Sequence, residues 1–204
     1  VWAVYFSATG TTKRVVEHIA EKAAEAVGAK FGIRDFTLPQ ARTDVLCFHS
    51  NELVIFGTPV IAGRVPNVLL KYLGTISGGG APAVPVVVYG NRDYDDALIE
   101  LRDILEEGGL HTVAAAAFIG EHSFSDSLAG GRPDEADLKR AGDFALEVAR
   151  KVSIMAAPSE LAPITVYGTP KPYRGYYQPR DRQGNPINIL KVKPLTRDSC
   201  TDCR

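Results

Sequence analysis

Cysteine is scarce: the 204 residues hold three, Cys47, Cys200 and Cys203. That is too few for a disulfide framework, and one close pair suits a reducing, cytoplasmic compartment and metal or redox chemistry better. No charge of either sign dominates, with 23 Lys and Arg against 24 Asp and Glu and a net charge of −1. The basic stripe that general nucleic-acid binding requires is therefore missing. No apolar run approaches the length of a membrane span. No charged n-region precedes an apolar core, so no signal peptide is visible. An initiator Met is also missing, and the chain opens abruptly inside an apolar run, so we expect a trimmed start. The four histidines, His18, His49, His111 and His122, show no metal-ligand spacing, and His18 reads as a solvated helix residue. There is no G-x-S-x-G elbow. Cys47 reads as a buried or half-buried apolar residue.

What is present begins with Val1 to Ala20. Trp2 to Phe6 is an apolar strand, and it breaks at Ser7-Ala8-Thr9-Gly10-Thr11-Thr12. Thr11 to Val27 then follows helical spacing, with Val15, Val16, Ile19, Ala20 and Ala23 on one face and Gly28 closing it. An apolar run, a small-residue turn and a helix begin a parallel βαβ unit. The pattern repeats. Ala29 to Phe36, Leu53 to Phe56, Val84 to Tyr89 and the alanine-rich Thr112 to Ile119 read as strands. Val65 to Leu73, Asp95 to Glu107 and Asp134 to Ser153 read as helices, with Pro66 in the first turn of its own. The strands at 53–56 and 84–89 are apolar throughout, as in strands covered on both faces. Five strands alternating with helices predict an α/β fold, a doubly wound parallel sheet over residues 1–153. Residues 154–204 differ: proline, glycine and tyrosine dominate, and apolar residues are too few to fold alone. This tail should lie across the α/β domain or lead beyond residue 204, and Ile164 to Tyr167 could pair with Ile187 to Val192 as a hairpin.

In an open parallel sheet, the turns after the strands' carboxyl ends share one edge, and ligands bind there. Three of these turns carry chemistry: Ser7 to Thr12, Thr58 to Arg64, and Gly90 to Tyr94. The first offers hydroxyls and free N–H groups at a helix N-terminus, which suits a terminal phosphate monoester. It is neither a Walker loop, since Gly10 has no earlier glycine partner before Lys13, nor the G-x-G-x-x-G dinucleotide turn.

Taken together, FSATGTTK, FGTPVIAGRVP and VYGNRDYDDAL resemble the three FMN-binding loops of the flavodoxin family, over roughly residues 1–152. The resemblance implies a five-stranded sheet in the order 2-1-3-4-5. It implies FMN phosphate at Ser7, Thr9, Gly10, Thr11 and Thr12. It implies the flavin ring between Thr58, Pro59, Val60, Ile61, Ala62 and Gly63 on one side and Gly90, Asn91, Arg92, Asp93 and Tyr94 on the other. Tyr94 occupies the place of an aromatic that stacks on the ring. The second loop of the family often carries Tyr or Trp, where this chain has Ile61, which leaves one face aliphatic or open to a partner. Ala62-Gly63 is where a peptide could reorient toward the reduced flavin N5. Arg64 could pair with the reduced ring or cap its loop, and Asp93 could cap the next helix or tune the potential.

Near the end stands Cys200-Thr201-Asp202-Cys203, a C-x-x-C. It could begin a zinc site, form a thioredoxin-like pair, or open a ferredoxin run. With the preceding loops, KVKPLTRDSCTDCR resembles bacterial proteins that join a flavodoxin domain to a ferredoxin domain. Cys200 and Cys203 would then ligate a 4Fe-4S cluster only together with cysteines beyond residue 204. The function expected is FMN-dependent electron transfer between the flavin and 4Fe-4S clusters or a redox partner protein. One rival is an FMN-dependent NAD(P)H or quinone oxidoreductase, which needs a pocket over the flavin built from Gly120 to Pro133 or the tyrosine-rich tail. The other is a non-redox binding or receiver-like domain, although Ser7 and Thr9 stand where a receiver needs acids.

Overall fold

A computed structural model describes residues 1–125, 127–155 and 162–188. The first strand, β1 (Trp2–Tyr5), feeds helix α1 (Thr11–Val27), which Gly28 closes as expected. Strand β2 (Gly32–Asp35) is followed by a single 3-10 turn at Pro39–Arg42. Then come β3 (Val54–Pro59), α2 (Asn67–Leu73), β4 (Pro82–Tyr89) and α3 (Ala97–Glu107). The edge strand is in two pieces, β5 (His111–Thr112) and β6 (Ala116–Ile119), and α4 (Glu135–Ile154) ends the domain. All strand pairs are parallel, in the order β2-β1-β3-β4-β5, with β6 also on β4. The predicted order is the observed one.

Alternation along the central strands divides the core in two. Val4, Val54, Phe56, Ala83 and Val87 face Leu69, Leu73, Leu98, Leu101 and Leu105 of α2 and α3. Ala3, Tyr5, Ile55, Val84 and Val86 face Val15, Val16 and Ile19 of α1 and Ala141, Ala145 and Val148 of α4. Gly57 is the point of closest approach: a Cβ there would collide with Val16 and crowd Thr12, so only glycine lets α1 lie this near β3.

The break in the predicted Thr112–Ile119 strand has a local cause. Between the pairs Ala83↔Thr112 and Val86↔Ala116, β4 advances three residues while the edge advances four. The additional residue is a bulge beside Pro85, which has no N–H to give to a ladder. The start of α4 is fastened by a capping box in which Asp134 Oδ1 accepts Asp137 N–H at 2.9 Å and Asp137 Oδ2 accepts Asp134 N–H at 3.0 Å. Asp134→Ala is expected to cost about 1 kcal/mol, read as a lower urea midpoint at unchanged slope.

Two expectations are corrected here. Cys47 is exposed, because its neighbours Leu46 and Phe48 turn into the core and the alternation directs Cys47 outward. The hairpin is also not formed among the described residues. Ile164 instead gives its carbonyl to Arg102 Nη1 at 2.9 Å, and Val166 packs on the α2/α3 core. Ile187 N–H goes to Pro179 O at 2.8 Å, around a local turn in which Asp181 N–H meets Asn185 O at 2.9 Å. Residues 189–192 lie outside the described residues, as do Cys200 and Cys203. From Ile164 to Tyr177 the tail lies across the α/β domain, mainly along α3.

Candidate functional site

The connections leaving β1, β3, β4 and β6 meet at one sheet edge and enclose an open cleft. In the first, Ser7 accepts Lys13 N–H on Oγ at 2.9 Å and gives its own N–H to Thr37 Oγ1 at 2.9 Å. Ser7 thus shapes the turn and does not border the cleft. Thr9 Oγ1 and Thr11 Oγ1 are 2.9 Å apart, and one donates to the other. Thr9, Thr11 and Thr12 line the cleft, while Gly10 borders a groove beside it with Arg14. Helix α1 begins there with no side-chain cap and no acidic residue in its first turn. Its first turn therefore brings no carboxylate of its own to the positive end of the dipole, and the acid nearest in the walls, Glu121, accepts Gly131 N–H at 2.8 Å. The nearby cations are engaged elsewhere: Arg14 Nη1 donates to Pro133 O at 2.8 Å, and Lys13 lies 4.0 Å from Glu17.

The second connection is a two-residue hairpin. Ile61 and Arg64 exchange both backbone hydrogen bonds, at 3.0 and 3.1 Å. Ala62 and Gly63 both have positive φ, 51° and 80°, which is the type I′ turn. A Cβ at Gly63 would run into Asp95, so glycine is required for space as well as for φ. Both turn carbonyls are occupied: Ala62 O accepts Tyr177 N–H at 2.8 Å, and Gly63 O accepts Asp96 N–H at 3.1 Å. The peptide predicted to reorient is thus held by the tail. Pro59, Val60, Ile61, Ala62 and Gly63 line the cleft. Thr58 does not; it is wholly buried, and its Oγ1 has no hydrogen-bond partner.

Arg64 faces neither a ring in the cleft nor its own loop. It forms a forked pair with Glu100, Nη2 to Oε1 at 2.6 Å and Nε to Oε2 at 2.8 Å, and gives Nη1 to Arg174 O at 2.6 Å. Its guanidinium lies 4.7 and 4.9 Å from the ring centres of Tyr173 and Tyr176. The buried Glu100 carboxylate dictates this position, because it has to be paired. The hydrogen bond to Glu100 raises the Arg64 pKa above its ordinary value.

In the third connection, Gly90, Arg92 and Asp93 line the cleft, whereas Asn91 and Tyr94 do not. Tyr94 is turned to other aromatics, with its ring 5.4 Å from Tyr89 and 5.7 Å from Tyr167 of the tail. Burial pushes its phenol pKa up. Asp93 does not cap α3; its Oδ1 accepts Asp95 N–H at 3.0 Å. Asp96 occupies the cap position, but its carboxylate is turned to the tail, accepting Thr169 N–H at 2.9 Å, Arg174 N–H at 2.7 Å and Arg174 Nη2 at 2.8 Å. The Arg174 guanidinium holds the Asp96 carboxyl well below the usual carboxylate range.

Two parts of the wall lie outside the three predicted loops. Residues 120–124 line the cleft, with Phe124 N–H donating to His122 Nδ1 at 3.1 Å and the two rings 6.1 Å apart. Tyr177 of the tail lines it as well. Both belong to stretches expected to build a wall if a pocket lies over the cleft, the polar loop from Gly120 to Pro133 and the tyrosine-rich tail. Neither says where the side chain ends up. His18, read as solvated, is half-buried and close to Gly142 of α4. No group of three or more metal-ligating side chains occurs among the described residues. No helix among them is long and apolar enough to cross a membrane.

No model of a known protein family matches this sequence, and no curated protein matches it. Solved structures do. A flavodoxin from the domain Archaea superposes with a TM-score of 0.53 at 16% identity, over 74% of this chain and 97% of that one. The flavodoxin of Streptococcus pneumonia TIGR4 gives 0.52 at 16% identity, over 74% and 97%. A flavone reductase gives 0.53 at 9% identity, over 75% of this chain and 62% of that one. The chain has the flavodoxin fold.

Proposed function

We propose that this flavodoxin-fold chain binds FMN in the cleft and passes electrons between it and a redox partner protein. The observation that carries this reading is the start of α1: a helix N-terminus with glycine at the cap position and no first-turn acid, its Lys13 N–H alone taken by a side chain (Ser7 Oγ), bordered by Thr9, Thr11 and Thr12 at the edge of a cleft with apolar walls. The donor set is neutral and suits a phosphate monoester, and Pro59, Val60 and Ile61 suit a flat, largely apolar ring. FMN would supply the electron chemistry when bound. The chain would hold its phosphate with Thr9, Thr11, Thr12 and the first-turn N–H groups. The hairpin at 61–64 and the Gly90–Asp93 turn would wall its ring.

Cys200 and Cys203 support the further reading that one electron partner is a 4Fe-4S cluster completed by cysteines beyond residue 204. A second reading, an NAD(P)H or quinone oxidoreductase, is favoured by the additional walls at 120–124 and Tyr177, which deepen the cleft. NADH oxidation with a quinone acceptor by flavin-loaded protein separates the two.

The primary test is a spectroscopic titration of the purified protein with FMN and with riboflavin. Uptake of FMN at least tenfold tighter than riboflavin is expected, since one charge-assisted phosphate contact already contributes about 1.5–3 kcal/mol. Uptake of neither flavin rejects both redox readings and leaves the non-redox binding domain.

A further inference from the structure

We infer that Tyr177, supplied by the C-terminal tail, is the aromatic that stacks on the flavin, in the place that Ile61 leaves aliphatic. This rests on the FMN reading above. Three observations lead to it.

First, the cleft mouth carries apolar side chains that the described residues leave largely uncovered. Ile61 is 50% exposed, Tyr177 58% and Phe124 94%, and all three border the same cleft. Side chains this large are left open beside a concave surface when something else is to cover them. Tyr94 has no such freedom, being enclosed between Tyr89 and Tyr167.

Second, Tyr177 is held in place by its backbone. Its N–H donates to Ala62 O at 2.8 Å, which seats it against the hairpin whose tip is Ala62-Gly63. The preceding residues are anchored just as firmly. Tyr176 Oη donates to Val65 O at 2.8 Å, Tyr173 Oη to Asp103 Oδ2 at 2.6 Å, and Arg174 N–H to the buried Asp96 at 2.7 Å. A strap this well tied fixes the Cα of Tyr177 and leaves its ring free, which is the preorganised state that stacking needs.

Third, the polar surroundings suit a ring whose charge changes. Arg92 lies 5.6 Å from the Tyr177 ring centre and borders the same cleft. A ring that meets a guanidinium with one face has a second face with which to meet another aromatic system.

The decisive variants are Tyr177→Ala and Tyr177→Phe, since neither removes the N–H that holds Ala62. A side chain more than half exposed is not needed for folding. Flavin emission is quenched when a tyrosine stacks on the ring, so fluorescence reads the contact directly. Wild type is expected to bind FMN with strong quenching. Tyr177→Ala should bind roughly tenfold more weakly and recover most of the emission of free FMN. Tyr177→Phe should retain most of the affinity. Unchanged affinity and quenching in Tyr177→Ala overturn the inference, and a loss confined to Phe124→Ala does the same by moving the contact to the 120–124 loop. If wild type takes up no FMN, the proposed function itself fails, an outcome distinct from either.

Discussion

Thr11→Asp is expected to weaken FMN binding by roughly 100-fold or more while leaving riboflavin almost unaffected. Thr11 is the first residue of α1 and lines the cleft. A carboxylate there would meet the first-turn N–H groups other than that of Lys13, which Ser7 holds, and the positive end of the dipole, the same features that attract phosphate. At an effective dielectric constant of 20, two like charges about 5 Å apart repel by about 3 kcal/mol, and a phosphate monoester carries more than one charge. A hundredfold loss requires only about 2.8 kcal/mol.

The same substitution should stabilise the ligand-free protein by about 0.3–1 kcal/mol, because an acid near a helix N-terminus is favourable and α1 has none. The opposite signs make the experiment discriminating: Tm without ligand rises as affinity falls. Thr11→Asn has the same shape without the charge and should lose only a few-fold. Raising the salt should recover part of the binding in Thr11→Asp and none in Thr11→Asn, since screening acts on charge. Equal losses for FMN and riboflavin would mean that phosphate does not sit at this helix.

Asp96→Ala is expected to release the tail from the α/β domain, with a loss of docking free energy of about 2–4 kcal/mol. The Asp96 carboxylate is fully buried and takes hydrogen bonds from Thr169 N–H, Arg174 N–H and the Arg174 guanidinium. Hydrogen bonds to a charged group contribute more than neutral ones, and donors left buried without an acceptor add to the loss. The Arg174 side chain remains 53% exposed, so the Coulomb part is screened, and the backbone donors set the magnitude. The tail can escape the penalty by letting go and hydrating these groups, so the core should stay folded.

Trypsin reads this directly at Arg174, Arg180 and Arg182. Cleavage there should accelerate roughly 30- to 1,000-fold, in line with the open population. If Tyr177 stacks on FMN, quenching should fall in parallel. An Asp96→Ala protein as resistant as wild type would show that the tail is held chiefly by Arg64, Tyr173 and Tyr176.

The charge state of Asp96 also sets a pH dependence. Its folded pKa is depressed, so the docked state binds fewer protons than the free one. The stabilisation is therefore complete above the ordinary carboxylate value of 3.8 and disappears only as pH falls through the much lower folded value. Tail protection should be flat from pH 5 to 8 and weaken only in strong acid.

The sequence alone determined everything that depends on neighbours along the chain. The length of α1 follows from Val15, Val16, Ile19 and Ala23 at helical spacing with Gly28 after them, and these residues are buried as predicted. The apolar runs at 54–56 and 84–88 had to be central strands, because only a doubly covered parallel sheet buries both of their faces. The three turns carried the cleft, since strand direction alone puts them on one edge.

Tertiary structure decided which side chains of those turns face the cleft. Tyr94 and Arg64 have the right chemistry in the right loops, yet Tyr89 with Tyr167, and Glu100 with the tail, compete for them and win. Those partners are distant in the chain, with Arg174 standing 110 positions from Arg64, and no local period encodes them. Tyr177 joins the cleft for the same reason in reverse. A strap without regular structure gives no pattern to read, and its position comes from carboxylates, arginines and backbone carbonyls that only the folded domain brings together.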